Sequence, residues 1–171
     1  MSAGSATSES RIDRISIAVG RGAAWLTLAM VVVTFIIVVI RYVFDGGFIW
    51  LQEAVTWMHA TVFMLGAAYT LQRDQHVRVD IFYREMNDRK RACVDLFGVV
   101  LFIFPLCGFF AFEAYDYVAS SWRLSEVSRN SGGLPYPFVP LLKSLLILMP
   151  ISVALQGTSL GLRALSRLRG D

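Results

Sequence analysis

The sequence predicts an all-α integral membrane protein with four transmembrane helices, and three observations point to that fold. The chain of 171 residues is 56% hydrophobic and only 17% charged, and its mean hydropathy of +0.56 is well above that of an average soluble domain. Its apolar residues form four continuous blocks, each about 18 residues or more, the length that crosses a hydrocarbon core. The charged residues collect in the connections between those blocks, not along one face of each block.

Met1 to Ser10 is polar and Ser-rich and is expected to be disordered; it carries no Lys or Arg, so it lacks the basic start of a signal peptide. From Arg11 to Gly22, Ile12, Ile15 and Val19 recur at helical spacing among Arg11, Arg14 and Arg21. This suits a short amphipathic helix in the membrane interface, with a frayed start to the first span as the alternative. The first span covers about 23–41, and Asp45-Gly46-Gly47 then makes a tight turn. The second span covers about 49–71. The two must form an antiparallel hairpin, which brings Arg41 and Glu53, equidistant from Gly47, to similar depth as a candidate ion pair.

The connection Gln72 to Arg91 is densely charged, and V-D-I-F-Y-R-E-M within it has the pattern of a second short interfacial helix. The third span covers about 92–119 and contains Pro105, a candidate kink. Ser120 to Pro140 reads as an irregular loop held by its prolines. The fourth span covers about 139–162, and residues 11–171 are expected to form a single four-helix membrane domain.

The net charge of +3 is not the footprint of a nucleic-acid binder, because the basic residues sit in the connections. Twelve of the 16 Lys and Arg residues fall at the end that also holds both termini; only Arg41, Arg123, Arg129 and Lys143 fall at the other. The positive-inside rule therefore places both termini in the cytoplasm. Cys93 and Cys107 lie about 21 Å apart on one helix, too far for an intrachain disulfide.

Polar groups at membrane depth are costly unless they meet protein or water. Trp50, Glu53, Trp57 and Ala60 share one face of the second span, and Gln52, Thr56, His59, Phe63 and Gly66 form an adjacent stripe; both are expected to face other helices. For Glu53 the competing reading is an interfacial carboxylate anchored by Arg41 or by lipid headgroups. His59 invites haem ligation, but the other histidine, His76, lies about 25 Å further along the same helix direction, so the two cannot clamp one haem. His59 is therefore expected to be a hydrogen-bonded packing residue. Glu113, Asp116 and Arg123 read as an interfacial charge cluster. No catalytic triad, metal-spaced Cys/His cluster or phosphate-binding glycine loop appears, so no catalytic residue, cofactor or metal is assigned and the chain is not expected to be an enzyme.

The pieces R-Y-V-F at 41–44, W-L-Q-E at 50–53, L-G-A-A at 65–68, H-V-R-V-D at 76–80, S-E-V-S at 125–128 and G-L-P before P-L-L-K-S-L at 140–145 occur in this order in a four-span chain. In this the sequence resembles the small membrane subunit of TRAP transporters, the tripartite ATP-independent periplasmic carriers, often called the DctQ-like family. The resemblance implies a bacterial inner-membrane scaffold subunit with no substrate site of its own. Its implied partners are a large multi-span TRAP membrane subunit, a periplasmic substrate-binding protein that delivers an organic acid, and membrane lipids; transport would be sodium-driven. It also implies that Arg41, Trp50, Glu53, Trp57, His76 and Asp80 are structural or subunit-interface residues; the stripe on the second span adds His59 and Gly66 to that set, and the hairpin of the first two spans is the expected docking element. Many relatives carry two acids after the tryptophan, where this chain has Gln52 and Glu53. The alternative class is a haem- or quinone-binding membrane anchor of a respiratory oxidoreductase.

Overall fold

The structure, a computed structural model, describes residues 11–72 and 86–169. All its regular elements are helical: α1 (Arg11–Val43), α2 (Ile49–Gln72), α3 (Asp88–Gly98), a π-helical turn (Val99–Ile103), α4 (Phe104–Arg123) and α5 (Phe138–Arg169). Four stretches are long and apolar enough to cross a membrane: Ile17–Val43, Ile49–Leu71, Asp88–Arg123 and Phe138–Arg169. The expected disordered N-terminus, the second interfacial helix, His76 and Asp80 lie outside the described residues.

At the N-terminus the structure differs from the expectation of a separate interfacial helix, because Arg11 to Val43 is one unbroken helix. No proline interrupts it, and isolated glycines such as Gly20 and Gly22 lower helix propensity without ending a helix. α1 ends where Asp45 takes a left-handed conformation (φ 48°) and the Gly46 amide donates to the Ile40 carbonyl at 3.1 Å. This is the tight turn that Asp45-Gly46-Gly47 signalled, and it folds α2 back along α1. The hairpin helices approach closely at Gly20, where an added Cβ would fall 2.4 Å from the Tyr69 ring.

The third span is continuous from α3 to α4, but its middle turn is π-helical. Pro105 explains this: its ring excludes the carbonyl four residues back from regular α-geometry, and a wider turn accommodates it. The Phe104 amide accordingly reaches the Val99 carbonyl, one residue beyond the α-helical partner. Asn87 caps the start of α3 by accepting from the Lys90 amide at 3.1 Å.

α5 is the central helix, packed against α2, α3, α4 and the edge of α1. Small residues set the approach: Gly157 lies under Ile103 and Gly161 under Val99, as expected where dispersion between close backbones drives helix association in lipid. Gln156 and Ser159 are also buried here. Most large apolar side chains point outward, among them Trp25, Phe35, Phe102 and Phe112, which is the arrangement a bilayer solvates.

Replacing Gly20 with leucine forces its side chain into the Tyr69 ring. It should destabilise the detergent-purified chain by about 1–3 kcal/mol, read as a lowered thermal midpoint, and Tyr69→Ala in the same chain should restore part of the loss. An unchanged midpoint for Gly20→Leu alone would contradict this hairpin packing.

Candidate functional site

A hydrogen-bonded network of polar side chains lies at the end that carries the α1–α2 turn and the loop of residues 124–137 between α4 and α5. Glu53 stands in the second turn of α2, with its carboxylate directed onto that loop. Its Oε1 accepts from Ser128 Oγ at 2.5 Å and from Asn130 Nδ2 at 2.7 Å, and its Oε2 accepts from the Leu134 amide at 2.7 Å. Charge-assisted bonds of this kind are the strong ones. All three partners are donors, so the site requires an acceptor-only carboxylate.

The loop is shaped to deliver those donors. Ser128 Oγ also accepts from the Asn130 amide at 3.1 Å, the Gly133 amide donates to Asn130 O at 3.0 Å, and the Ser128 amide donates to Leu134 O at 3.3 Å. Gly132 has φ 75°, a conformation glycine takes without strain. Its carbonyl accepts from the Trp50 amide at 3.1 Å. Trp50 belongs to the first turn of α2, where amides have no partner within the helix, so the loop caps α2. A Cβ on Gly133 would lie 2.3 Å from Ser128 Oγ and 2.7 Å from Glu53 Oε2, which explains a glycine there as well.

A second clamp holds the other side of the loop. Lys143, one turn into α5, donates to Glu126 Oε2, which also accepts from the buried Ser121 hydroxyl at 2.7 Å. The Lys143 ammonium lies 3.9 Å from the centroid of the Tyr117 ring, a cation–π contact. The hydrogen bonds from Lys143 and Ser121 hold the Glu126 carboxyl below the usual carboxylate range, and the charges of Lys143 and Arg129 add to the effect while partial desolvation opposes it. Trp122 donates from Nε1 to Ser144 Oγ at 2.9 Å and meets the Tyr136 ring edge-on. The two clamps thus join α2, α4, α5 and their loop into one network.

The sequence-based candidates separate in this geometry. Trp50 and Glu53 join the network, Trp50 through its backbone. Arg41 is exposed and is not among the partners of Glu53; the expected Arg41–Glu53 pair is replaced by the loop, because the carboxylate turns toward three converging donors. The indole Nε1 of Trp57 is buried without a hydrogen-bond partner among the described residues. His59 is exposed on α2, not packed inside the bundle as expected, and Gly66 has open space beside it. Glu113 and Asp116 are exposed, while Arg123 bonds Ser120 Oγ at 3.1 Å.

Sequence reasoning missed Ser121, Glu126, Ser128, Asn130 and Lys143. One signal was available: Lys143 is a lone lysine just inside an apolar span, and such a residue needs a counter-ion. Glu126, in the preceding loop, was the obvious candidate.

A sequence model described as "Tripartite ATP-independent periplasmic transporters, DctQ component" matches residues 30–161. The chain is also similar to the C4-dicarboxylate TRAP transporter small permease protein DctQ of Vibrio cholerae serotype O1, with 30% identity over 83 residues. That match covers 44% of this chain and 36% of the relative, so the shared region spans little more than a third of the relative's length. No solved structure matches the chain.

Exchanging Glu53 for glutamine places an amide NH2 where a carboxylate oxygen faces donors. Glu53→Gln should weaken the loop attachment by about 1.5–3 kcal/mol, seen as faster hydrogen exchange at the Leu134 amide with the α5 amides unaffected. Unaltered Leu134 protection would show that Glu53 does not hold the loop.

Proposed function

The chain belongs to the DctQ family of tripartite ATP-independent periplasmic transporter components, and from that premise we propose that it is the stationary small subunit that braces a large membrane transport subunit. As a member of that family it is a transporter component and not an enzyme. The observation that carries the bracing role is the double clamp, in which Glu53 and Glu126 fasten the ends of three helices to one loop. An element so cross-linked serves as a fixed surface. A scaffold that contacts both end states of a moving partner equally stabilises the complex without shifting its equilibrium.

The remaining assignments extend the same reading. The transporter imports an organic acid delivered by a periplasmic binding protein, driven by sodium; the similarity to a C4-dicarboxylate TRAP transporter small permease protein of Vibrio cholerae supports this substrate class. The basic residues favour an inner-membrane chain with both termini in the cytoplasm, which turns the clamped end toward the periplasm. Residues 11–171 act as one membrane unit, with Arg41, Trp50, Glu53, Trp57, His59, Gly66, His76 and Asp80 in structural or interface roles. Membership in a transporter family does not favour the respiratory-anchor alternative.

Mild-detergent purification from the native membrane tests this reading. The wild-type chain should bring down one much larger hydrophobic chain in a colourless complex. Glu53→Ala should lower complex yield and organic-acid uptake together, and Cys107→Ala should leave both unchanged. Wild-type yield and uptake with Glu53→Ala, or a coloured complex with soluble redox subunits, would sink it.

A further inference from the structure

Gln52, Thr56, His59, Phe63 and Gly66 recur at alternating steps of four and three residues, the spacing of a seam along which one helix receives another. The structure leaves this seam open. Thr56, His59 and Phe63 are exposed, Phe63 to 71%, with Gln52 and Gly66 half-buried at its ends. Thr56 returns its hydroxyl to the Gln52 carbonyl at 3.3 Å, but His59 has no hydrogen-bond or ion-pair partner among the described residues.

The depth of His59 makes that exposure informative. It stands near the middle of the span Ile49–Leu71, about 15 Å of helix from either end. Even the neutral imidazole keeps one N–H donor and one lone-pair acceptor, and hydrocarbon satisfies neither. A side chain on a single methylene cannot snorkel to the headgroups as lysine and arginine do.

The other outward faces differ. Between Arg21 and Arg41 the exposed side of α1 carries no ionisable residue, and Thr27 and Thr34 bond their own backbone, so lipid alone can cover it. Glu113 and Asp116 on α4 follow the uninterrupted apolar run 96–112, at the clamped end and nearer to headgroups and water. Gly66 adds a second, independent feature of the seam. A Cβ there would meet nothing within 4 Å in this chain, so its own bundle does not require glycine, whereas close backbone approach by another helix does.

We propose that this stripe is the docking seam for a membrane-spanning helix of the transporter's large subunit, one that brings a hydrogen-bonding side chain to His59 at mid-depth. This rests on the reading that such a subunit is the partner. It moves the contact from the hairpin as a whole to one face of α2.

The test uses the full chain co-expressed with its native large subunit. A photo-crosslinking amino acid replaces Phe63 in one variant and Phe35, on the lipid-facing side of α1, in another. An adduct with the large subunit from position 63 and none from position 35 is the expected result. No adduct from position 63 while the large subunit still co-purifies, or an adduct only with a second copy of this chain, overturns the seam and leaves the subunit reading standing. Purification without any large subunit overturns that reading itself. Gly66→Ala supplies a separate readout: the added Cβ meets nothing within 4 Å in the chain alone, so membrane yield should hold while co-purification of the large subunit falls about tenfold or more. Undiminished co-purification would overturn the seam.

Discussion

The organisation of this molecule depends on one carboxylate and the three donors that converge on it. Bonds from Ser128, Asn130 and Leu134 to Glu53 join a helix early in the chain to a loop about 80 residues later. Without them the segment 124–137 would be a surface loop between two spans, of the kind that usually moves and varies. With them it becomes the cap of α2, and α5 enters the bundle from a fixed point. The Lys143–Glu126 pair repeats the arrangement on the side facing α4. Both clamps place formal charge at the end of apolar helices, where charges are tolerated because partners and nearby water satisfy them.

The rest of the molecule is arranged as a bilayer requires. Apolar side chains point outward along α1 and α4, while small residues at Gly157 and Gly161 let α5 approach its neighbours closely. Polar groups are therefore the informative ones. Glu53, Glu126 and Lys143 at the clamped end are used within the chain, and Gln156 and Ser159 are enclosed by it. His59, at mid-span, is exposed and has no hydrogen-bond partner among the described residues. That division between groups satisfied internally and groups that await a partner is what a subunit of a larger assembly should show, and it agrees with the family to which the chain belongs.

Much of the fold could be read from the sequence, because span length and turn chemistry are local properties. Among the described residues four helices are long and apolar enough to cross a membrane, the number the apolar blocks indicate, and Asp45-Gly46-Gly47 makes the expected reversal. Pro105 perturbs the third span as its missing amide requires, through a π-helical turn. The site was less legible, because its bonds are long-range. Glu53 is legible as an acid on the same face as Trp50 and Trp57, and equal distance from the turn suggests Arg41 as its partner; nothing local to Glu53 points to Ser128 or Leu134. His59 was misplaced for a related reason. A helical stripe shows which residues share a face but not whether that face meets the chain's own helices or another's.

A stationary scaffold requires the clamped end to stay rigid while the assembled transporter works. Spin labels at Phe48→Cys and Leu124→Cys, both exposed positions at that end, in a chain with Cys93 and Cys107 replaced, would report its geometry in the complex by electron–electron distance measurement. One narrow distance distribution, unchanged when substrate and sodium are added, is the predicted result. A second population, or a shift on adding substrate, would mean that this end moves with transport, contradicting a stationary scaffold built on Glu53.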